Sequence, residues 1–218
     1  MSTWVITGAN RGIGLEMARQ LSERHEVIAV CRKASSELEA LGCRIESADV
    51  SVAGDLEALA GRLADVHIDV LVNNAGILES HGLPDLNPDS IRRQFEVNAL
   101  GPLMVTKALM ARFARPARVA IITSRMGSIA DNGSGGMYGY RMSKAAVNAA
   151  GRSLALDLAH CDVAVALFHP GFVKTDMTGQ RGNVEARESA RQLIERIQGL
   201  DARAAGRFWH ATGEELPW

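Results

Sequence analysis

A glycine-rich turn at residues 7–14, with the sequence TGANRGIG, constrains the fold of this chain more than any other feature. The apolar stretch Thr3–Thr7 is typical of a buried strand, and the residues after the turn have helical composition and spacing. Gly8 and Gly12 permit a tight turn and the close approach of a ligand, and Gly14 lets the helix pack closely on the sheet. The free N–H groups at the start of that helix would face a pyrophosphate.

The spacing of these glycines leaves a second interpretation open. It is Gly-x-x-x-Gly-x-Gly, whereas the usual dinucleotide-binding motif is Gly-x-Gly-x-x-Gly. A glycine-rich turn with a purely structural role is therefore the alternative, and the motifs further along the chain have to decide between the two.

The rest of the chain alternates between apolar stretches and stretches with helical spacing. Parallel strands joined by right-handed crossovers produce this alternation, with helices covering both faces of the sheet. We therefore expect an α/β fold with a Rossmann-like, doubly wound parallel sheet. The predicted strands are Thr3–Thr7, Val27–Cys31, Arg44–Ser47, Asp69–Asn73, Arg118–Thr123 and Val163–Phe168, with a short last strand at Arg207–Trp209.

Two long helices and one irregular segment complete this prediction. One helix starts at Pro88 and runs to about Arg112, and another follows a glycine-rich loop and ends at Leu158. The polar segment Gly171–Asn183 has no clear periodicity, which indicates a mobile lid. No linker or repeat divides the chain, so we expect one domain over residues 1–218, with its cofactor-binding part roughly in 1–120 and its catalytic and substrate-loop part roughly in 121–218.

The composition argues against several classes of function. A formal net charge of -1 gives no overall field to hold a polyanion, so we expect no nucleic-acid binding. No apolar run approaches the ~20 residues of a membrane span, and the first strand starts too early for a leader peptide. Cys31, Cys43 and Cys161 form no Cys-x-x-Cys pair and no metal-ligand spacing with the histidines, so we expect no metal. Together these features favour a reducing compartment, the cytoplasm.

Residues that directly follow the predicted strands are the first candidates for a ligand site. In such a sheet, ligands bind outside the carboxyl ends of the strands, so we expect these residues to line one cleft with the glycine turn. They are Arg32, Asp49, Val50, Asn74, Ala75, Gly76, Ser124, Pro170 and Gly171.

Tyr140 and Lys144 lie four residues apart at the start of a predicted helix, which places both side chains on one face. A phenol titrates near ~10, and an adjacent ammonium stabilises the phenolate and lowers that pKa. The Ser124 hydroxyl can hydrogen-bond a substrate oxygen and hold it against Tyr140, as acid–base catalysis at a carbonyl requires. On spacing alone, an ordinary surface pair of tyrosine and lysine is the better explanation.

An ordered set of motifs resembles the short-chain dehydrogenase/reductase family across essentially the whole chain. The set comprises TGANRGIG, Asn73-Asn74-Ala75-Gly76, Asn98, Ser124, Tyr140-x-x-x-Lys144 and His169-Pro170-Gly171. Within the family, the stretch Gly135–Lys144 (GGMYGYRMSK) and the ending Glu215–Trp218 (ELPW) are similar to the C-factor and sniffer-like carbonyl reductase branch.

The resemblance implies a role for each of four residues. Tyr140 donates the proton in reduction, and Ser124 positions the carbonyl. Lys144 binds the nicotinamide ribose and lowers the pKa of the phenol. Asn98 holds a water that links Lys144 to solvent.

Three neighbouring residues are alternatives to this set or extend it. Ser128 is a rival for the serine role, because the loop before Tyr140 is longer than in many members of the family. Tyr138 has no lysine four residues later, so we expect it to line the pocket or pack. His169 precedes Pro170-Gly171, and we expect a hydrogen-bonded histidine there rather than a catalytic one.

The charge at the end of the second strand indicates which dinucleotide binds. An acidic residue there binds the ribose 2′-hydroxyl of NAD, whereas an arginine accommodates the 2′-phosphate of NADP. Arg32 occupies this position and Arg11 lies in the glycine turn, so we expect NADP(H), with NAD(H) as the alternative. Ordinary solvated charge is the other explanation of the two arginines.

The predicted cofactor-binding set combines the strand ends with positions that the resemblance adds. Asp49 would meet the adenine amino group, and Thr175 is similar to the threonine that meets the nicotinamide carboxamide. The set is Gly8, Asn10, Arg11, Gly12, Ile13, Gly14, Arg32, Asp49, Val50, Asn74, Ala75, Gly76, Tyr140, Lys144, Pro170, Gly171, Val173 and Thr175.

We therefore expect an NADPH-dependent oxidoreductase that reduces a ketone or aldehyde carbonyl, or oxidises the alcohol in reverse, with Tyr140 as the acid and base. The alternative is an NAD(P)-binding regulatory or signalling protein on the same fold. The resemblance also implies a homodimer or homotetramer. The loops that would wall the substrate pocket carry a mostly apolar set, which weakly favours nonpolar or aromatic carbonyls. This set is Leu78, His81, Met126, Met137, Phe172 and Met177.

Overall fold

The computed structural model describes residues 1–218 and is built on nine strands and seven α-helices. The strands are β1 (Thr3–Thr7), β2 (Glu26–Cys31), β3 (Arg44–Ser47), β4 (Ile68–Asn73), β5 (Phe113–Ile122), β6 (Val163–His169), β7 (Val173–Lys174), β8 (Val184–Glu185) and β9 (Phe208–His210). The helices are α1 (Gly12–Leu21), α2 (Ser36–Glu39), α3 (Ala53–Arg62), α4 (Pro88–Phe95), α5 (Gly101–Leu109), α6 (Tyr138–Asp157) and α7 (Ala186–Gln198).

Seven strands form one parallel sheet in the order β3-β2-β1-β4-β5-β6-β9. The apolar runs of the sequence explain its burial on both faces, because successive residues of a strand point to opposite sides. Trp4 and Ile6 pack in the core that includes residues of α1 and α7. Val5 packs in the core that includes residues of α3, α5 and α6. The predicted doubly wound α/β fold is therefore confirmed.

The strand order fixes where a ligand can enter. β1 and β4 are neighbours in the sheet, although β2 and β3 lie between them in the sequence. The connections on either side of this point run in opposite directions across the sheet. A crevice therefore opens outside the carboxyl ends of β1 and β4, which are followed by the glycine turn and by Asn74-Ala75-Gly76.

The structure differs from the sequence prediction in the helix that was expected from Pro88 to Arg112. α4 and α5 are separated by one π-helical turn at Glu96–Leu100, and this turn contains Asn98. Single π-helical turns interrupt the regular hydrogen-bond ladder of an α-helix and often lie at functional sites. The periodicity of apolar residues does not reveal such a turn, because the segment stays helical on both sides of it.

Two other boundaries also differ from the prediction. β5 begins at Phe113, five residues before the predicted Arg118. The predicted lid, Gly171–Asn183, contains β7 and a 3-10 turn at Asp176–Thr178, and β7 pairs with β8 just after it. The segment thus contains regular elements that its lack of periodicity did not indicate, and its role as a mobile lid stays a prediction. No helix of the structure combines the length and the apolar character needed to cross a membrane.

Candidate active site

Hydrogen bonds tie the glycine turn to the segment that follows β4. The Thr7 hydroxyl accepts hydrogen bonds from the backbone N–H groups of Asn74 (3.0 Å) and Ala75 (3.1 Å). In return, the Asn74 side-chain amide donates to the carbonyls of Thr7 (3.0 Å) and Gly8 (3.2 Å). The two strand ends are therefore locked together at the point where the crevice opens.

The close contact between the glycine turn and the segment after β4 requires glycine at two positions. Gly8 has a φ of +67°, and a Cβ atom on it would lie 2.8 Å from the Cα of Ala75. A Cβ atom on Gly14 would lie 2.4 Å from the Gly8 carbonyl oxygen and 2.6 Å from the Asn74 amide nitrogen. Gly14 was predicted to bind the cofactor, but its place in the structure is beneath the turn, where it lets α1 approach.

The amino end of α1 presents unpaired backbone donors to the cleft. Arg11 is the residue that precedes the helix, and its side chain does not cap the first turn. The first N–H groups of a helix have no partner within the helix, and the helix dipole adds partial positive charge there. This end of α1 is therefore suited to an anionic group such as a phosphate.

The cleft at this edge of the sheet has a volume of about 430 Å³. Twelve of the predicted cofactor-binding residues line it: Gly8, Asn10, Arg11, Gly12, Ile13, Arg32, Asp49, Val50, Asn74, Ala75, Gly76 and Thr175. Eight further residues line it that were not in the predicted set: Val30, Cys31, Lys33, Ala48, Ile77, Val97, Asp176 and Met177. Most of these are direct sequence neighbours of predicted residues, and that adjacency was the signal available to find them.

Each of the two predicted arginines of the cleft faces a carboxylate. The Arg11 guanidinium lies 3.7 Å from Asp176, and the Arg32 guanidinium lies 3.7 Å from Asp49. Burial alone would raise the pKa of Asp49, but hydrogen bonds from Ser51 and the charge of Arg32 lower it below its usual value. Asp49 is thus ionised at neutral pH and holds Arg32 at the end of β2.

Tyr140 and Lys144 are both buried on the face of α6 that is turned to the sheet. The two residues are 7% and 5% exposed, so the surface-pair interpretation is excluded. The Lys144 ammonium donates a hydrogen bond of 3.0 Å to the carbonyl of Ile122 at the end of β5. Its nitrogen lies 5.8 Å from the centre of the Tyr140 ring.

Burial shifts the pKa values of this pair in opposite directions, because it penalises whichever form is charged. It raises the pKa of Tyr140 to about 12, and hydrogen bonding with Ser124 acts against this increase. It lowers the pKa of Lys144 to about 8. The expectation that Lys144 lowers the pKa of the phenol is not met in this structure, because burial dominates and the ammonium is directed to the Ile122 carbonyl.

The environments of Ser124 and Ser128 distinguish the two candidates for the serine role. Ser124 lies two residues after the end of β5 and is close enough to Tyr140 to influence the pKa of its phenol, which favours it for the serine role. The Ser128 hydroxyl is buried and accepts a hydrogen bond of 3.0 Å from the Asp131 N–H. The competing Tyr138 is 38% exposed, in contrast to the buried Tyr140.

Glycine at position 127 allows the turn after Ser124 to rest on α6. A Cβ atom on Gly127 would lie 2.7 Å from the backbone carbon of Lys144. Gly76 is also close to this region. A Cβ atom on it would lie 3.2 Å from the Asn98 side-chain oxygen and 3.7 Å from the Lys144 nitrogen. Gly76 therefore connects the cleft at β4 with the buried pair on α6.

Asn98 holds the segment after β4 against α6. Its side-chain oxygen accepts a hydrogen bond of 2.8 Å from the Ile77 N–H. Its amide nitrogen donates to the Ile77 carbonyl (2.9 Å) and to the Ser143 hydroxyl (3.0 Å). Both amide hydrogens are thus used for positioning, and only acceptor capacity is left for the predicted water.

The end of β6 differs from its prediction. Pro170, Gly171 and Val173 do not line the 430 Å³ cleft, and Val173 is buried in β7. His169 was expected to be hydrogen-bonded, but its buried Nδ1 has no partner. Burial, with the nearby charges of His210 and Arg125, lowers the pKa of His169 to about 3, so the ring stays neutral.

Known proteins resemble this chain in both sequence and fold. The sequence model of the short chain dehydrogenase family matches residues 2–186. A 1-hydroxy-2-glutathionyl-2-methyl-3-butene dehydrogenase from Rhodococcus sp. (strain AD45) is 41% identical over 226 residues, covering 100% of both chains. C-signal from Myxococcus xanthus is 43% identical over 166 residues, which cover 75% of this chain and 100% of that protein.

Two solved structures have closely similar folds over the full length of the chain. The NADPH-bound carbonyl reductase from chicken fatty liver has a TM-score of 0.92 at 26% identity, covering 100% of this chain and 99% of that one. The carbonyl reductase Sniffer of D. melanogaster has a TM-score of 0.90 at 28% identity, with the same coverage. The chain belongs to the short-chain dehydrogenase/reductase family of oxidoreductases, in its C-factor and sniffer-like carbonyl reductase branch.

Proposed function

We propose that the chain is an NADPH-dependent carbonyl reductase in which Tyr140 supplies the proton. The observation that carries this proposal is the burial of Tyr140 and Lys144 on one helix face, connected through Gly76 to a cleft suited to a dinucleotide. A tyrosine and a lysine are rarely buried together without a function, because both lose hydration there. Oxidation of an alcohol is the same reaction in reverse.

The residues of the cleft fit a phosphorylated dinucleotide. The unpaired N–H groups of α1 are suited to the pyrophosphate, and Arg11 and Arg32 supply positive charge in the same cleft. An arginine can bind a 2′-phosphate with two parallel hydrogen bonds. When bound, NADPH supplies the hydride that the carbonyl carbon receives. The NADPH in the chicken carbonyl reductase supports this choice, with NAD(H) as the weaker ligand.

The chain's own residues would handle the proton at the substrate oxygen. With a pKa of about 12, Tyr140 is protonated at neutral pH and can donate its hydrogen to that oxygen. Ser124, beside the phenol, would hold the oxygen in place. In the free protein the ammonium of Lys144 is directed to the Ile122 carbonyl, and it would stabilise the phenolate left behind only once substrate and cofactor are bound. Asn98 fixes the Ile77 backbone next to this pair, and its role in a water relay stays a prediction.

A cofactor-binding signalling protein is the second candidate, and the similarity to C-signal favours it. The complete set of Ser124, Tyr140 and Lys144 argues against a role restricted to binding, because signalling alone requires no buried acid–base pair. The substrate class, a homodimer or homotetramer, the cytoplasmic location and the division of the domain near residue 120 stay predictions.

The first prediction concerns the proton donor. Tyr140→Phe should lower kcat for reduction of aldehydes and ketones by roughly 10²-fold or more, because it removes the only acidic hydrogen at that position. NADPH consumption over a panel of aliphatic and aromatic carbonyls measures this loss. Tyr138→Phe is the matched control, since these are the only two tyrosines, and it should keep nearly full activity. Equal activity of Tyr140→Phe and wild type would refute the proposed donor.

The second prediction concerns pH. Lys144 is charged below its pKa of about 8 and loses its charge as the pH rises through that value, while Tyr140 stays protonated up to about 12. The reductive kcat/KM should therefore be constant near neutral pH and fall roughly tenfold per pH unit above about pH 8. Lys144→Arg keeps its charge over this range, so its residual activity should not fall. A wild-type profile that stays flat to about pH 10 would contradict the role of Lys144.

The third prediction concerns the choice of cofactor. Arg32→Gln should raise the Kd for NADPH roughly tenfold and change the Kd for NADH less than about twofold, because only NADPH has a 2′-phosphate to lose a charged partner. Calorimetric titration of both cofactors measures the difference. Arg203→Gln, at a side chain that is 95% exposed and outside the cleft, is the control and should change neither. Equal weakening of both cofactors would exclude a 2′-phosphate site at Arg32.

A further inference from the structure

The loop between Ser124 and Tyr140 ends in a turn with three consecutive left-handed residues, one of which is not glycine. Three consecutive residues, Gly135, Gly136 and Met137, have φ values of 63°, 64° and 49°. This left-handed region is accessible to glycine but disfavoured for a side chain such as that of methionine. Met137 is therefore the strained residue of this turn, and such a conformation persists only when the surrounding structure holds it.

One side chain supplies most of the polar contacts to this turn. The Nε–H of Arg141 donates to the carbonyls of Gly135 (3.3 Å) and Gly136 (3.2 Å), and one terminal nitrogen donates to the Ser134 hydroxyl (2.9 Å). The other terminal nitrogen donates to the carbonyl of Met126 (3.4 Å). Arg141 thus joins the two ends of the loop to α6.

The positive charge of Arg141 has no ion-pair partner. No carboxylate lies within ion-pair distance of it, whereas Arg125 on the same loop is paired with Asp131 and Glu214. Hydrogen bonds from a charged donor are stronger than those between neutral groups, so the loop carbonyls compensate part of the cost of holding the guanidinium. An unpaired arginine with four backbone and hydroxyl acceptors is a structural clamp rather than a solvated surface charge.

The position of this clamp relates it to catalysis. The loop begins at the proposed carbonyl-positioning residue, Ser124, and ends at the first turn of α6, which carries Tyr140. It therefore bounds the space next to both side chains. A change in the turn at residues 134–137 would alter the shape of that space without touching the cleft of α1.

We propose that Arg141 is a positioning residue that holds the strained turn at residues 134–137 and thereby shapes the substrate side of the active site. This step rests on the proposed carbonyl reductase function only for its kinetic part. A planar guanidinium can reach three parts of the loop at once, whereas a lysine ammonium, as a single point of charge, cannot. The turn itself is a property of the folded chain that can be measured without any substrate.

The test compares Arg141→Gln and Arg141→Lys with a matched control, Arg152→Gln. Arg152 also lies on α6 and also donates to the carbonyl of a left-handed glycine, Gly206 (3.2 Å, φ 69°), but at the opposite end of the helix. Each variant is measured for the KM and kcat of a carbonyl substrate, the Kd of NADPH, and hydrogen exchange of the backbone amides in residues 126–137.

We expect both Arg141 variants to raise the KM for the carbonyl substrate about tenfold, with kcat changed less than about threefold and the Kd of NADPH unchanged. Exchange in residues 126–137 should become faster in these variants and stay at the wild-type rate in Arg152→Gln. An unchanged KM with unchanged exchange in Arg141→Gln would overturn the proposal, as would an equal effect of Arg152→Gln.

Failure of the proposed function gives a different result from failure of the clamp. If wild type reduces no carbonyl in the panel, the reductase assignment fails and the exchange measurement alone decides about Arg141. Faster exchange confined to the Arg141 variants then supports the clamp, and equal exchange in all four proteins overturns it. If Arg141→Gln does not fold, Arg141→Lys provides the same comparison.

Discussion

The hydrogen bonds between Thr7 and Asn74 are the interaction on which the site depends most. They join the ends of β1 and β4, the two strands between which the sheet connections reverse direction. Because of this join, the glycine turn and the segment Asn74–Gly76 form two walls of one cleft. A Cβ atom on Gly76 would contact Asn98 and Lys144, so the same lock sets the distance between the cofactor cleft and the acid–base pair.

Burial determines the chemistry that the pair on α6 can perform. It stabilises the neutral phenol of Tyr140 and brings the pKa of the Lys144 ammonium close to the working pH. A neutral phenol is a proton donor, which suits reduction of a carbonyl more than oxidation of an alcohol at neutral pH. Burial of the pair also costs free energy, because both groups lose hydration. The close packing of Gly127 and Asn98 around the pair is therefore required for its function.

The strands and the residues that follow them could be predicted from the sequence, because both are local properties. Apolar runs mark buried strands, and the parallel sheet brings their carboxyl ends to one edge. The π-helical turn at Asn98 could not be predicted, because it leaves the surrounding helical pattern intact. The ion pair between Arg11 and Asp176 and the clamp of Arg141 depend on how distant or turned segments meet, which composition and periodicity do not encode.

The pKa of Tyr140 depends on burial, which the spacing of residues in the sequence does not encode. Spacing on a helix predicts that Lys144 is near the phenol, but not that both side chains are buried or that the ammonium is directed to the Ile122 carbonyl. Desolvation then outweighs the charge of the neighbour.

The most direct measurement of the central claim is a tracer experiment with NADPH that carries deuterium at C4 of the nicotinamide, prepared in both stereoisomers. After single turnover with a carbonyl substrate, mass spectrometry and NMR locate the label. A carbonyl reductase of the proposed kind transfers deuterium from one of the two isomers to the carbinol carbon of the alcohol, and the hydroxyl hydrogen comes from the protein and solvent. Formation of the alcohol without label from either isomer, or tight binding of NADPH with no turnover of any carbonyl, would contradict it.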